Sequence, residues 1–183
     1  MLFFGSESGS ASFACDAEVV YDILTAYDDY DQWMPLVASS KLLAQEGDDL
    51  AIAELEVDIG DRETLAIECI HDRNRMVLSR GIGGSLPVSK IEWNIKSEGP
   101  GRCTVSLTMH PENRWETFLP SHRRFLDPDA CIASLRRYST LYDGDAPPAE
   151  GDSVFRLFET PDGLTALYMG KRYKLTPISE ESQ

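Results

Sequence analysis

Arg80 is the residue whose type and setting are most unusual in this chain. In the run Met76-Val77-Leu78-Ser79-Arg80-Gly81-Ile82 it shares strand parity with Met76, Leu78 and Ile82, so alternation turns it toward the covered face of a sheet. A guanidinium in apolar surroundings needs a carboxylate, phosphate or carbonyl partner, because leaving it unpaired is very costly. Three readings stay open: a polar anchor for a ligand head group, an internal salt bridge, or a strand-end residue reaching solvent. Trp93 is a candidate for the floor or wall of a pocket, or for plain core packing. Tyr138 and Tyr142 stand one turn apart on a helical pattern, with hydroxyls able to meet a ligand or a backbone carbonyl. Leu86 and Pro87, in the run Gly83-Gly84-Ser85-Leu86-Pro87, are candidate lid residues beside glycines that permit movement. Trp33, next to Pro35, either guards a cavity mouth or pins a short helix to the sheet.

Other chemistry is poorly represented. His71 ends a strand beside Asp72, His110 takes outward parity, and His122 sits beside Arg123 and Arg124 in what reads as a solvated loop. No nucleophile elbow accompanies them. Gly83-Gly84 lacks the lysine and following helix of a phosphate loop. Cys15, Cys69, Cys103 and Cys131 are far apart and show no metal-ligand spacing, so they read as small buried hydrophobes in a reducing cytosol. No metal and no cofactor is expected.

These residues must be positioned by a regular framework. Between Ser39 and Pro111 turn signals recur about every 12 residues, at Glu46-Gly47-Asp48-Asp49, Gly60-Asp61, Asp72-Arg73-Asn74, Gly83-Gly84 and Glu98-Gly99-Pro100-Gly101. The runs between them alternate, which predicts six antiparallel strands with one covered face. Ala51, Ala53, Leu55 and Val57 fall on that face, as do Leu65, Ile67 and Cys69, then Ile91, Trp93 and Ile95, then Val105, Leu107 and Met109. A further strand is expected within Leu2 to Phe13, interrupted or bulged near Gly5 to Gly9. Asp16 is the expected cap of a helix whose stripe is Val19, Val20, Ile23 and Leu24. A short helix over about Asp28 to Met34 should stop against Pro35. Asp127-Pro128-Asp129 announces a closing helix with Ile132, Leu135, Tyr138, Leu141 and Tyr142 inward, ended by Gly144. Residues 1–144 thus form one domain, and residues 145–183 a linker, a small β-hairpin appendage and a polar tail.

The chain has 183 residues, 42% hydrophobic and 26% charged, as expected for one globular domain. Its net charge of −14 repels nucleic-acid phosphates and anionic headgroups, so nucleic acid is not an expected partner. No apolar run is long enough to span a bilayer, and the first ten residues lack the basic start of a signal peptide. The expectation is therefore a cytoplasmic protein without stable membrane insertion, either monomer or homodimer.

The order of elements, with Val20-Tyr21-Asp22-Ile23-Leu24, Tyr27 to Pro35, Arg80 to Gly84, Leu86 and Glu92-Trp93, resembles the START-like helix-grip superfamily (SRPBCC). Its polyketide-cyclase-like and coenzyme-Q-binding COQ10-like members are the most similar. The resemblance covers about residues 1–144 and implies an α+β helix-grip fold of the Bet v 1/START kind. In that fold a curved antiparallel sheet wraps around a long C-terminal helix and encloses a cavity for a lipid, sterol, quinone or polyketide. Binding or transport of a small hydrophobic ligand is then the leading expectation. The residues lining the cavity would be Ala53, Leu55, Ile67, Arg80, Leu86, Trp93, Val105, Leu107, Tyr138 and Tyr142. A cyclase/aromatase-like enzyme is a second reading, and an interaction module using the C-terminal appendage a third.

Overall fold

A computed structural model describes residues 5–112 and 120–142, and the backbone of residues 155–160, 163–168 and 171–174. The six expected strands are present as β2 (Val37–Glu46), β3 (Leu50–Asp58), β4 (Arg62–Asp72), β5 (Met76–Gly84), β6 (Val88–Gly99) and β7 (Arg102–Pro111). With β1 (Glu7–Phe13) they form a seven-stranded antiparallel sheet in the order β1-β7-β6-β5-β4-β3-β2. Two helices, α1 (Ala17–Thr25) and α2 (Tyr30–Trp33), connect β1 to β2, and α3 (Pro128–Tyr142) follows the meander. This is the expected helix-grip architecture: an open, curved sheet with a C-terminal helix, not a closed barrel.

The alternating pattern explains the sheet. In β3 and β7 every second side chain is buried (Ala51, Ala53, Leu55 and Val57; Cys103, Val105, Leu107 and Met109), so one face joins the core and the other meets solvent. Helix α1 turns Val20, Tyr21, Ile23 and Leu24 inward, as its 3.6-residue spacing requires, and packs on β5 and β6. Helix α3 lies on β1 and β7 with Cys131, Ile132, Leu135 and Tyr138 buried. Its start matches expectation: Asp127 Oδ1 accepts the Ala130 amide at 3.0 Å, and Pro128 opens the helix.

Three local expectations are corrected. Strand β1 carries no bulge; it pairs with β7 without a register shift from Glu7↔Met109 to Phe13↔Cys103. Gly9 serves instead as a seat for α3, since a Cβ there would lie 2.5 Å from Asp129 Oδ1 and 3.2 Å from Ile132 Cδ1. Asp16 makes no capping bond to α1; its carboxylate accepts the Gly101 amide at 2.7 Å and ties the helix start to the β6–β7 turn. The appendage is more than a hairpin: β8 (Phe155–Thr160), β9 (Gly163–Tyr168) and β10 (Lys171–Lys174) form their own antiparallel sheet in the order β10-β9-β8. Gly144 and the linker expected after it lie outside the described residues.

Candidate functional site

Arg80 does not face the covered side. On β5 it is Val77 and Ser79 that are buried, and Arg80 is exposed between Glu68 of β4 and Lys90 of β6, its partners in register. Both parities of this strand hold apolar residues (Met76, Leu78 and Ile82 against Val77), so its sequence does not discriminate the faces. Pairing does: β4 and β6 place Cys69 and Ile91 beside Ser79, and both belong to the core.

The other sheet residues expected to line a cavity are drawn together on the covered face. Ala53, Leu55, Ile67, Trp93, Val105 and Leu107 are each at most 1% exposed. A chain of aromatic rings crosses this interior. Tyr27 meets Tyr30 at 5.5 Å between centroids, Tyr30 meets Trp33 edge-on at 5.0 Å, and Trp33 meets Trp93 edge-on at 5.8 Å. Trp33 therefore pins α2 to the sheet.

Trp33 also lines a cleft of about 100 Å³ between α2 and α3, together with Ser134, Arg137 and Tyr138. The Ser134 hydroxyl donates to the Trp33 carbonyl and holds the two helices together there. The Trp33 indole N–H is buried and has no acceptor among the described residues. Leu86 is buried at a different place, where the β5–β6 connection and Glu112 border a cleft of about 280 Å³. Tyr142 closes α3, and its side chain lies outside the described residues.

A second constellation was not visible in the sequence. His71, at the end of β4, is buried beneath α1 and lies on a cavity of about 220 Å³. Its Nδ1 is 3.0 Å from the Asp48 carbonyl and its Nε2 2.5 Å from the Tyr27 hydroxyl. A carbonyl can only accept, so Nδ1 carries the hydrogen and Nε2 accepts from Tyr27. Cys69, two residues before His71 on the covered face, has its sulfur 3.4 Å from the Ser79 hydroxyl. Tyr27 thus donates to His71, and His71 donates to the Asp48 carbonyl. Burial, above all, pushes the Tyr27 phenol far above its ordinary value. Burial likewise raises the Cys69 thiol, against the lowering effect of its polar neighbours Ser79 and Tyr27. Both groups stay protonated in the folded protein. One signal existed in the sequence: His71 shares parity with Leu65, Ile67 and Cys69, which places a histidine on the covered face. Nothing local links it to a tyrosine 44 residues away.

The remaining histidines are structural. His110 Nε2 lies 2.7 Å from Glu92 Oε2 on the outer face. His122 is buried, not solvated, with Nε2 3.9 Å from Glu63 Oε1, while Arg124 donates to the Ile59 carbonyl at 3.1 Å. All four cysteines are buried and none forms a disulfide, and burial above all pushes Cys103 and Cys131 up to about 12. At pH 8 only about one thiol in ten thousand would then be ionised at either position. Native protein should therefore react with iodoacetamide at these two cysteines on the order of a thousandfold more slowly than denatured protein, as read by peptide mass spectrometry. Rapid native labelling of either would show that the surrounding core opens. No group of three or more metal-ligating side chains occurs among the described residues, and no described helix is long and apolar enough to cross a membrane.

An open sheet gripping a C-terminal helix defines the helix-grip class, and comparison with known proteins agrees. Residues 14–127 match the sequence family described as polyketide cyclase/dehydrase and lipid transport. The chain belongs to that family. Among solved structures, a START superfamily protein from Mycobacterium smegmatis superposes with a TM-score of 0.60 at 17% identity, over 72% of this chain and 94% of that one. A STAR-related lipid transfer protein from Xanthomonas axonopodis gives 0.60 at 16% identity, over 73% and 85%. The Zhui aromatase/cyclase from Streptomyces sp. R1128 gives 0.54 at 16%, over 73% and 94%. No curated protein sequence matches the chain.

Proposed function

We propose that this protein binds a small, largely apolar molecule bearing an oxygen acceptor, held between the sheet and α3. The observation that carries this reading is the Trp33 indole N–H, buried at the α2–α3 cleft without an acceptor. A buried donor left unpaired costs about 1–3 kcal/mol, which a ligand carbonyl or hydroxyl would recover. The proposed wall is Ala53, Leu55, Ile67, Trp93, Val105 and Leu107, with Tyr138 at the mouth. Because the wall residues are at most 1% exposed, binding requires α3 to lift from the sheet. The point of movement is the Trp33–Ser134 contact, since the start of α3 is clamped over Gly9.

Purified protein should release an apolar molecule on solvent extraction, detected by mass spectrometry. A fluorescent fatty acid and a short-chain quinone are the probes for titration. Trp33→Phe keeps a ring against Trp93 and deletes the donor, so it should weaken binding of whichever probe saturates by about 3–10-fold. An empty extract together with no saturable binding of either probe would overturn the reading. Where the bound molecule is a reactive polyketone, the same donor would polarise its carbonyl, and cyclase-like activity would arise in this way. Unchanged turnover of a linear polyketide thioester by Trp33→Phe would remove that role.

A further inference from the structure

The cavity above His71 lies outside the space between α3 and the sheet. Its walls come from α1, the β2–β3 turn and the β4–β5 turn. The polar atoms it offers are mostly acceptors. The Thr25 hydroxyl donates to the Tyr21 carbonyl at 3.0 Å, which leaves its oxygen lone pairs available. Gln45 donates one of its two amide N–H groups to the Gly47 carbonyl at 3.1 Å, and its Oε1 makes no bond among the described residues. Asp48 contributes a carboxylate while its backbone carbonyl holds His71. Tyr21, which lines the cavity, is only 9% exposed, and its hydroxyl makes no hydrogen bond among the described residues.

The charge around this opening points the same way. Arg73 is the basic side chain lining the cavity, and its guanidinium lies 3.6 Å from Glu18. Asp22, Asp48 and Asp49 remain, all close enough to act on the Tyr21 phenol. That phenol is raised first by burial; Arg73 acts next and lowers it, and Asp48, Asp49 and Asp22 each raise it. Asp22 is itself raised, by burial first and then by Glu18, as expected for a carboxylate in a negative field. Tyr21 stands edge-on to the His71 ring with centroids 6.3 Å apart, so an aromatic surface faces an acceptor-rich rim.

We propose that this cavity is a binding site for a small organic ammonium ion, its N–H groups directed at Asp48, Gln45 and Thr25 and its carbon skeleton against Tyr21. An aromatic face beside a carboxylate favours such a cation over a neutral isostere. The site is distinct from the proposed apolar one and stands or falls separately.

Three ligands of nearly one shape but different charge test the proposal: benzylammonium, benzyl alcohol and benzoate, titrated into the full chain and followed by amide NMR shifts. Benzylammonium should bind at least about tenfold more tightly than benzoate and about fivefold more tightly than benzyl alcohol, with shifts centred on Tyr21, Asp48 and His71. Asp48→Asn keeps the backbone carbonyl that holds His71 and should weaken benzylammonium about fivefold. Asp61→Asn removes an equal charge at the opposite end of β3 and should leave binding unchanged. Benzoate binding as tightly as benzylammonium would overturn the proposal. So would equal losses in the two variants, or shifts spread over the acidic surface, either of which would mark general attraction to a chain of net charge −14.

Discussion

Trp93→Ala should lower the free energy of unfolding by about 3–5 kcal/mol, the range for truncating a large buried aromatic side chain. Trp93 sits in the middle of β6, in register with Val77 on one side and Leu107 on the other, all within 1% of complete burial. Its ring also carries the edge of Trp33, so the truncation unseats α2 as well as opening a cavity. Urea unfolding should show the loss with the slope preserved, and the melting temperature should fall by on the order of 10 °C. Trp93→Phe should cost distinctly less, because the aromatic contact with Trp33 survives. The size of the effect also bears on the proposed ligand site. A loss under about 1 kcal/mol would mean that the wall yields around Trp93, which is not the behaviour of a packed core.

Gly84→Ala should be nearly as damaging, at about 3 kcal/mol or more, for a reason unrelated to burial. Gly84 has φ of +103°, which a side-chain-bearing residue rarely adopts, and a Cβ there would lie 2.2 Å from the Thr64 carbonyl oxygen. Both partners are backbone, so no rotamer change relieves the clash. The register shift between β4 and β5 falls at this place, and the amides of Ser85 and Leu86 both donate to Thr64 O. Gly83→Ala is the control: the nearest atom to its Cβ would be Ala66 Cβ at 3.8 Å, and stability should change by less than about 0.5 kcal/mol. Thermal melts of the two variants side by side decide the matter. Equal and small losses would show that the β5–β6 connection rearranges freely. The glycines that read as freedom of movement in the sequence are, at position 84, a requirement of close backbone approach.

Much of the architecture was legible because period-two and 3.6-residue patterns are local properties of the chain. Strand β3 illustrates this: Ala53, Leu55 and Val57 alternate with Glu54, Glu56 and Asp58, so one face had to be covered. The start of α3 was equally plain, since Asp127 and Pro128 act within a single turn. Strand β5 marks the limit. With apolar residues at both parities, only its pairing with β4 and β6 could turn Val77 and Ser79 inward and leave Arg80 outside. The loop expected around His122 failed similarly, because its burial depends on Glu63 and the end of β3, about 60 residues earlier.

What the sequence alone determined, then, is the helix-grip order, the covered face of most strands and the dominance of apolar contact over any recognisable catalytic motif. The tertiary structure alone decided which polar groups meet. Tyr27, His71, Cys69 and Ser79 come from three separate elements, and the Trp33 indole N–H is buried where α2 and α3 share a cleft. Side-chain periodicity reports which direction a residue faces. Its partner is set by strand register and helix packing, which arise from contacts far apart in the chain.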